Sequence, residues 1–266
     1  MYAFDYQRAS DAQGAVKTLG ADPEAKLLAG GQSLLAAMKL RLAQPSTLVD
    51  VTRIPALKTL QVDGKVVKIG AAVCHADVAA NAQIQATLPA LAHLAAGIGD
   101  RQVRALGTLG GSLANDDPAA DYPAAVLALN ATVVTDRRRI AADDFFLGMY
   151  ETALEPDELI VAVEFPVPQR AAYEKFHNPA SHFALTGVFV AQSADGSVRV
   201  AITGAASSVF RALVLEDALK ASFTPADARA VSIAPDELNT DLHASAAYRA
   251  HLIPVLAARA VAKALG

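Results

Sequence analysis

The chain has 266 residues, of which 53% are hydrophobic and 19% are charged. This balance excludes an intrinsically disordered protein, because disordered chains combine few hydrophobic residues with a high net charge. The formal net charge of −4 argues against a nucleic-acid-binding protein, which normally presents a basic surface. The length accommodates two modest domains or one large domain.

The single cysteine, Cys74, limits the redox chemistry that the chain itself can hold. It cannot form an internal disulfide bond, and an iron–sulfur cluster typically needs four cysteine ligands. Because Cys74 lies in the apolar stretch IGAAVCHADV, we interpret it as a buried small side chain rather than a nucleophile. The sequence has neither a signal-peptide pattern nor an apolar segment of membrane-spanning length, which predicts a cytoplasmic protein.

The first elements alternate between helices and strands. Ser10 is typical of an N-cap for a helix that ends near Leu19, with Gly20 as its stop signal. The sequence KLLAG predicts a short strand that leads into glycines, and the apolar residues from Leu34 onwards then have helical spacing. STLVDV predicts the next strand.

The middle of the chain contains a strong hairpin signal. Asp63-Gly64 lies between two alternating apolar runs, which predicts a β-hairpin. Two helices separated by Pro89 follow it. Further on, AAVLALNA predicts a helix, and ATVVTDRRRIAADDFF predicts a strand, a turn at residues 137–139 and a returning strand. We expect the arginines of that turn to be solvated, with a subunit contact as the alternative.

The last part of the sequence predicts a second group of strands. ELIVAVEFPVP reads as a strand that ends at two prolines, and it favours a domain boundary near residues 166–172. A second hairpin turns at Asp195-Gly196, and a helix that begins at Ser245 is expected to be interrupted at Pro254. The mixture indicates an α+β fold with antiparallel hairpins in both halves.

A first pair of glycines stands where a strand gives way to a helix, in LLAGGQSLL. Gly30 and Gly31 have no Cβ atoms, so a ligand can approach the backbone closely. Their amides, with those of Gln32 and Ser33, would point outwards and bind an anion such as phosphate. The alternative is a tight strand-to-helix turn that Ser33 caps.

A second glycine pair lies in RALGTLGGSLANDDPAADYP, a stretch whose composition indicates flexibility and polarity. Here Thr108 and Ser112 supply hydroxyl groups, and Gly110 and Gly111 supply accessible amides. Three acids follow, at positions 116, 117 and 121. A carboxylate does not favour a neighbouring phosphate, so these acids fit better as acceptors for sugar hydroxyls. A loop with Asx turns is the alternative.

Two common nucleotide-binding motifs are excluded because the sequence lacks residues that they require. Neither glycine stretch supplies the lysine of a P-loop. GIGDRQ at 97–102 has glutamine where the Rossmann fingerprint needs its third glycine. Any nucleotide site in this chain therefore belongs to neither of these folds.

Together, the motifs resemble one family. LLAGGQSL, then RALGTLGGS about eighty residues later, then DDPAADYP and ELIVAVEFPVP with YEKF are similar to the FAD-binding medium subunit of the molybdenum hydroxylases. That group includes the medium subunit of aerobic carbon monoxide dehydrogenase and the flavin domain of xanthine dehydrogenase. Each glycine motif is weak alone, but the pair in this order and spacing carries the resemblance over nearly the whole chain.

The resemblance implies a fold and a place for the cofactor. An α+β, two-lobed PCMH-type FAD-binding domain would cover residues 1–170, with its lobes divided near residues 55–60. A small C-terminal α+β domain with a three-stranded antiparallel sheet would cover residues 171–266. FAD would lie between the lobes, and both glycine stretches would hold its pyrophosphate.

The resemblance also implies the residues that contact FAD. Asp121 matches an acid that contacts the cofactor, Ile160 an apolar contact with the flavin, and Lys175 a basic residue beside the ring. Phe183 stands where the carbon monoxide enzyme has a tyrosine, and a phenylalanine can stack but cannot hydrogen-bond. The implied cofactor-binding residues are Ala29, Gly30, Gly31, Gln32, Ser33, Leu34, Thr108, Gly110, Gly111, Ser112, Asp121, Ile160, Lys175 and Phe183. The histidines at 75, 93 and 177 lack metal-ligand spacing, which predicts structural or surface roles and no metal site.

The function that the resemblance implies is an oxidoreductase subunit that transfers electrons. A large partner subunit would hold the molybdenum cofactor, and a small partner subunit would hold two [2Fe–2S] clusters. Both partners would contact the alanine-rich surface and the tail helix of this chain, and the complex would be a dimer of heterotrimers. FAD would pass the electrons to oxygen, a quinone, NAD or a protein. The alternatives are an independent FAD-dependent oxidoreductase, which needs a catalytic acid, base or covalent flavin anchor, and a non-catalytic nucleotide-binding module.

Overall fold

The structure, a computed structural model, describes all 266 residues and mixes helices with four β-sheets. The strands are β1 (Asp5–Arg8), β2 (Lys26–Leu28), β3 (Thr47–Asp50), β4 (Leu60–Val62), β5 (Val66–Gly70), β6 (Thr132–Thr135), β7 (Arg139–Ala141), β8 (Phe146–Gly148), β9 (Glu151–Thr152), β10 (Ile160–Pro166), β11 (Arg170–His177), β12 (Ala184–Gln192), β13 (Val198–Thr203) and β14 (Phe210–Arg211). The helices are α1 (Ala12–Ala21), α2 (Leu34–Lys39), α3 (His75–Ala80), α4 (Ala82–Thr87), α5 (Pro89–Ala96), α6 (Arg101–Leu106), α7 (Leu109–Asn115), α8 (Tyr122–Ala128), α9 (Leu213–Ala221), α10 (Pro225–Ala230) and α11 (Ala246–Leu265).

The N-terminal sheet is parallel and has the strand order β1-β3-β2. Parallel strands need a crossover connection, and α1 provides it between β1 and β2. Leu19, Val49 and Ile54 belong to a small hydrophobic cluster that this sheet forms with α1. The first glycine stretch begins directly after β2, at the carboxyl end of a parallel sheet, which is a frequent position for ligand sites.

The second sheet is antiparallel and has the order β4-β5-β10-β6-β7. The hairpin predicted at Asp63-Gly64 joins β4 to β5, and Gly64 has a φ of +88° that favours glycine. The carboxylate of Asp63 accepts hydrogen bonds from the amides of Lys65 and Val66 at 2.9 and 2.7 Å. Helices α3, α4, α5, α7 and α8 share the largest hydrophobic cluster with this sheet.

The C-terminal sheet has the order β11-β12-β13-β14, so it contains four strands instead of the expected three. The additional strand has only two residues, which is too short to produce an alternating pattern. Both faces of β12 are covered: Phe189 and Ala191 belong to the cluster around α8, whereas Val188 and Val190 belong to the cluster around α11. The sheet therefore packs against helices from both halves of the chain.

Several helix boundaries differ from the sequence-based predictions. The N-cap of α1 is Asp11, whose carboxylate accepts a hydrogen bond from the amide of Gly14 at 2.7 Å, and not Ser10. The first helix predicted before Pro89 is divided at Asn81, which caps α4 with its side chain.

The tail helix differs as well, because α11 runs without interruption through Pro254. Its apolar face is buried in the cluster that it forms with the C-terminal sheet, and this burial offsets the missing backbone hydrogen bond. The tail helix therefore packs one face on its own chain, and its opposite face is exposed. None of the helices combines the length and apolar character that crossing a bilayer requires.

The glycine-rich stretch from 104 to 123 is largely helical, although its composition predicts flexibility. Helix α6 ends at Leu106, and α7 follows after only two residues. Gly110 and Gly111 lie inside α7. Glycine is among the poorest helix formers, so propensity gives no signal for a helix at this position.

The arginines of the β6–β7 turn are exposed, as the sequence predicted, and each of them also pairs with an acid. The pairs are Arg137–Asp157, Arg138–Glu158 and Arg139–Glu164. Glu158 has a fully buried side chain, which accepts hydrogen bonds from Arg138 at 2.7 and 2.9 Å and from the hydroxyl of Thr135 at 2.7 Å. This ion pair fixes the segment that leads into β10.

We predict that Glu158→Gln lowers the free energy of unfolding by about 2 kcal/mol at pH 7, because a buried charge pair is broken. Its hydrogen bonds to Arg138 hold the pKa of Glu158 at about 2, below the usual 4.5. The stabilisation is therefore present above pH 4.5 and is lost as the pH falls towards 2. Urea unfolding at pH 7 and pH 3 measures this. Exposed Glu237→Gln, whose side chain pairs with no cation, is the control, and an equal loss at both pH values would contradict the prediction.

Candidate functional site

A cavity of about 600 Å³ lies where the first glycine stretch meets the second. Its volume falls within the range of small-molecule and cofactor sites. The predicted site residues that line it are Ala29, Gly30, Gly31, Gln32, Ser33, Leu34, Thr108, Gly110, Gly111, Ser112, Asp121, Ile160 and Phe183. Lys175 is the one predicted residue that does not line it.

The first glycine stretch presents a row of unpaired backbone donors. The amides of residues 30–34 donate no hydrogen bond within the chain. Gly31 has a φ of +69°, and its left-handed conformation turns the chain between β2 and α2. The tight turn of the alternative interpretation is present, with Ser33 at the N-cap position, but the side chain of Ser33 makes no capping hydrogen bond. Consecutive amides that lack acceptors form a concave site for an anion.

Gly30 is required because two backbones meet at this point. A Cβ atom on Gly30 would lie 2.2 Å from the carbonyl oxygen of Leu106 and 2.7 Å from the Cα atom of Gly107. Real Cβ atoms do not approach backbone atoms so closely, so any other residue at position 30 would separate the two glycine stretches. The close contact holds the loop after β2 against the corner between α6 and α7.

The second glycine stretch differs from the first, because its amides already have acceptors. The amide of Gly110 donates to the carbonyl oxygen of Ala71 at 2.8 Å, and that of Gly111 donates to the hydroxyl oxygen of Thr108 at 3.1 Å. The expectation that these glycines offer accessible amides is therefore wrong. Gly110 instead lets α7 pack on β5, since its Cβ would lie 2.5 Å from that of Ala71. The side chains of Thr108 and Ser112 line the cavity.

Asp121 lies in the cavity wall and is tied to β11. Its Oδ1 atom accepts a hydrogen bond from the hydroxyl of Tyr173 at 2.6 Å and lies 2.9 Å from Nζ of Lys175. Burial raises the pKa of Asp121, and Lys175 and Tyr173 oppose that effect. Lys175 also donates to the carbonyl oxygens of Gly97 and His182, so it lies behind the carboxylate and away from the cavity.

The two remaining predicted residues lie on different parts of the wall. Ile160 is buried at the start of β10, where it belongs to the main hydrophobic cluster and also lines the cavity. Phe183 is 47% exposed and lies just before β12. Asn178 holds the turn that precedes it by accepting from the amide of Ala180 at 2.9 Å. Phe183 is therefore an accessible aromatic ring at the edge of the cavity.

Other lining residues were not identified from the sequence, among them Lys26, His75 and Asn115, whereas Asp117, one of the three predicted acids, does line the cavity. Lys26 begins the strand that leads into the glycines, so a cation three residues before the AGG motif was an available signal. His75 was interpreted as structural or surface, and its position depends on a long-range contact: its amide donates to the carbonyl oxygen of Gly107 at 2.9 Å. No local pattern predicts that pairing.

The imidazole of His75 is buried beside the second glycine stretch. Its Nδ1 atom has no hydrogen-bond partner, and its ring centre lies 5.3 Å from that of Tyr122. Burial, together with the charge of Arg104, lowers the pKa of His75 to about 4. The ring is therefore neutral at pH 7. Cys74, next to it, is only half-buried, and burial raises the pKa of its thiol, which does not favour a nucleophile.

Asp116 is a second buried group without a full set of partners. Its Oδ2 atom accepts no hydrogen bond, and its backbone is left-handed, with a φ of +42°. Burial raises the pKa of Asp116 to about 7, and the neighbouring charge of Asp117 acts in the same direction. The folded chain therefore keeps the proton over a pH range in which an unfolded aspartate has lost it.

We predict that Asp116→Asn is more stable than the wild type at pH 8 by about 1 kcal/mol or more, because it removes a buried, unpaired charge. The folded-state pKa is raised, so the wild type loses stability as the pH rises from about 4 to 7. The difference should vanish near pH 4, and asparagine tolerates the left-handed backbone. Thermal unfolding across this range measures the effect, with exposed Asp217→Asn as control. A pH-independent gain would contradict the prediction.

Comparison with known proteins identifies the family. Residues 2–168 match the family model described as the FAD binding domain in molybdopterin dehydrogenase. The nicotine 6-hydroxylase medium subunit of Paenarthrobacter nicotinovorans is 37% identical, over 98% of this chain and 97% of its own length. The carbon monoxide dehydrogenase medium chain of Hydrogenophaga pseudoflava is 40% identical, over 78% of this chain and 77% of its own.

Solved structures agree with the sequence relatives. The carbon monoxide dehydrogenase of H. pseudoflava contains a chain that superimposes with a TM-score of 0.88 and 35% identity, over 99% of this chain and 98% of that one. Quinoline 2-oxidoreductase from Pseudomonas putida 86 gives a TM-score of 0.88 with 29% identity, over 99% of this chain and 97% of that one. The chain therefore belongs to the family of FAD-binding domains of molybdopterin dehydrogenases, and it is an oxidoreductase subunit whose cofactor is FAD.

Proposed function

We propose that the chain is the FAD-binding electron-transfer subunit of a molybdenum hydroxylase complex. It would receive electrons from the [2Fe–2S] clusters of a small partner subunit and deliver them to an external acceptor. The observation that carries the proposal is the row of unpaired amides at residues 30–34, on the wall of a cavity that both glycine stretches line. The names of the relatives support the subunit role, since two of them are a medium subunit and a medium chain.

The residues of the cavity fit FAD. The amides of residues 30–34 would hold the pyrophosphate, because they are several adjacent donors and no acceptor within the chain occupies them. Thr108 and Ser112 would add hydroxyl donors from the opposite wall. When bound, FAD supplies the redox chemistry of the subunit. The protein contributes the binding, the orientation and the exclusion of water.

The flavin end of the site would lie near Asp121, Ile160 and Phe183. All three line the cavity: Asp121 lies directly before α8, Ile160 begins β10 and Phe183 lies directly before β12. We propose that Lys175 acts through its ion pair with Asp121 and does not touch the ring, because its ammonium group is buried behind that carboxylate. The benzyl ring of Phe183 would cover the cofactor by stacking and would provide no hydrogen bond.

The domain division and the partners are part of the same proposal. A two-lobed PCMH-type FAD domain at residues 1–170, divided near 55–60, is supported by the match at 2–168 and by the separate hydrophobic clusters of the first two sheets. Residues 171–266 would form the C-terminal domain. A large molybdenum subunit and a small [2Fe–2S] subunit would complete a cytoplasmic dimer of heterotrimers.

The proposal is tested by isolating the complex from its source and recording its visible spectrum. Oxidised-flavin bands, release of FAD on denaturation and iron–sulfur absorbance in the companion chains would support it. A stable lone chain that turns over an organic substrate with its own FAD would replace it with an independent oxidoreductase. Release of a nucleotide on denaturation, without flavin bands in the visible spectrum, would indicate a non-catalytic nucleotide-binding module.

We predict that Gly111→Val lowers the affinity for FAD by about tenfold or more, because a branched side chain would project into the cavity between the stretches. A Cβ at position 111 meets only the Thr108 hydroxyl at 2.9 Å and the Ala29 methyl at 3.8 Å, so the fold should persist. Titration of apoprotein with FAD, followed by flavin fluorescence, measures the affinity.

The control for this prediction is Gly20→Val, which introduces the same side chain on α1. Its nearest neighbour would be a carboxylate oxygen of Asp157 at 3.8 Å, and Gly20 does not line the cavity. The control should retain the wild-type affinity. Wild-type affinity in Gly111→Val would show that the second glycine stretch does not approach the cofactor.

A further inference from the structure

The segment from 118 to 121, which ends in the cavity wall, is held by strands of the C-terminal sheet. The hydroxyl of Thr203 donates to the carbonyl oxygens of Ala120 and Pro118 at 2.6 and 3.1 Å, and the amide of Gly204 donates to Pro118 at 2.8 Å. The sheet thus fixes the backbone of this segment directly before Asp121. The side chain of Asp121 is fixed separately, from β11.

Tyr173 provides the shorter of the two contacts to that side chain. Its hydroxyl donates to Oδ1 of Asp121 at 2.6 Å, and both side chains are buried. Lys175 reaches the same oxygen at 2.9 Å. Oδ2 accepts no hydrogen bond within the chain. A carboxylate with two donors on one oxygen has a fixed orientation and an oxygen available for another donor.

The space for the tyrosine hydroxyl is created by a glycine on the neighbouring strand. A Cβ atom on Gly187 would lie 2.4 Å from the hydroxyl oxygen of Tyr173 and 2.9 Å from Cγ2 of Thr203. Glycine within a strand weakens it and often marks a close approach of another group. Phe189 packs against the tyrosine ring with a centre-to-centre distance of 6.0 Å. The hydroxyl therefore occupies a slot that only glycine leaves open.

We propose that Tyr173 is a positioning residue for the cofactor: its hydrogen bond fixes the carboxylate of Asp121 so that the second oxygen faces FAD. The C-terminal sheet thereby completes the FAD site, although its strands contribute little to the cavity wall. This inference rests on the proposed function, since it needs FAD in the cavity. Strand β11 would orient the Asp121 carboxylate through Tyr173, and Gly187 would leave the space that the tyrosine hydroxyl needs.

The test uses the full complex, with Tyr173→Phe as the variant and Tyr248→Phe as the matched control. Tyr248 is partly exposed on α11 and its hydroxyl makes no hydrogen bond within the chain. We expect the Tyr173 variant to bind FAD about tenfold more weakly, as for the loss of one hydrogen bond to a charged group. The bound flavin should also shift in its absorption maximum and midpoint potential. The control should match the wild type in all three.

A double-mutant cycle identifies the route of the effect. If Tyr173 acts through Asp121, Tyr173→Phe should have almost no further effect on FAD affinity in an Asp121→Asn background. An equal loss in both backgrounds, or unchanged affinity and flavin spectrum in Tyr173→Phe, would overturn the proposal. Failure of the wild-type complex to bind FAD would instead contradict the proposed function.

A second variant covers the case in which Tyr173→Phe does not fold. Gly187→Ala keeps the hydroxyl group but fills its slot, so it should displace the hydroxyl and weaken FAD binding in the same direction. Unfolding of the apoprotein is measured alongside, because a structural effect would lower stability without changing the flavin spectrum. Wild-type affinity and spectrum in Gly187→Ala would overturn the role of the slot.

Discussion

The close contact between Gly30 and the carbonyl group of Leu106 is the constraint on which the site depends. It joins the loop after the parallel sheet to the corner that begins α7, and a Cβ atom would break it. The cavity lies where the loop after the parallel sheet meets helices of the largest hydrophobic cluster. The close approach of these two backbone segments thus places the two glycine stretches on the walls of one cavity.

The two walls contribute different chemistry, even though their sequences look alike. The first glycine stretch leaves its amides without acceptors in the chain, so they are available to an anion. The second stretch uses its amides to anchor α7 on β5 and to cap the helix with Thr108. One wall therefore offers free backbone donors, and the other provides a surface with hydroxyl groups.

The sequence predicted features that depend on local chemistry. The hairpins at Asp63-Gly64 and Asp195-Gly196 formed as expected, because glycine in a tight turn determines the backbone locally. The free amides of residues 30–34 were also predictable from the strand, the glycines and the helix that follows. The acceptor of the Gly110 amide and the position of His75 were not, since each depends on a residue more than thirty positions away. Lys175 was predicted beside the flavin ring, but its ammonium group pairs with Asp121 and does not line the cavity.

The C-terminal sheet is an integral part of the structure, and the match to the solved carbon monoxide dehydrogenase covers 99% of the chain and not only its first 170 residues. Its strand β12 is buried on both faces, so removing the sheet would expose α8 and release the segment at 118–121. A carboxylate as buried as that of Asp121 is tolerated only with partners, and both of its partners come from β11. The geometry of the cavity wall and the packing of the sheet are therefore linked: the strand that packs on the rest of the chain also fixes the orientation of the Asp121 carboxylate in the cavity wall.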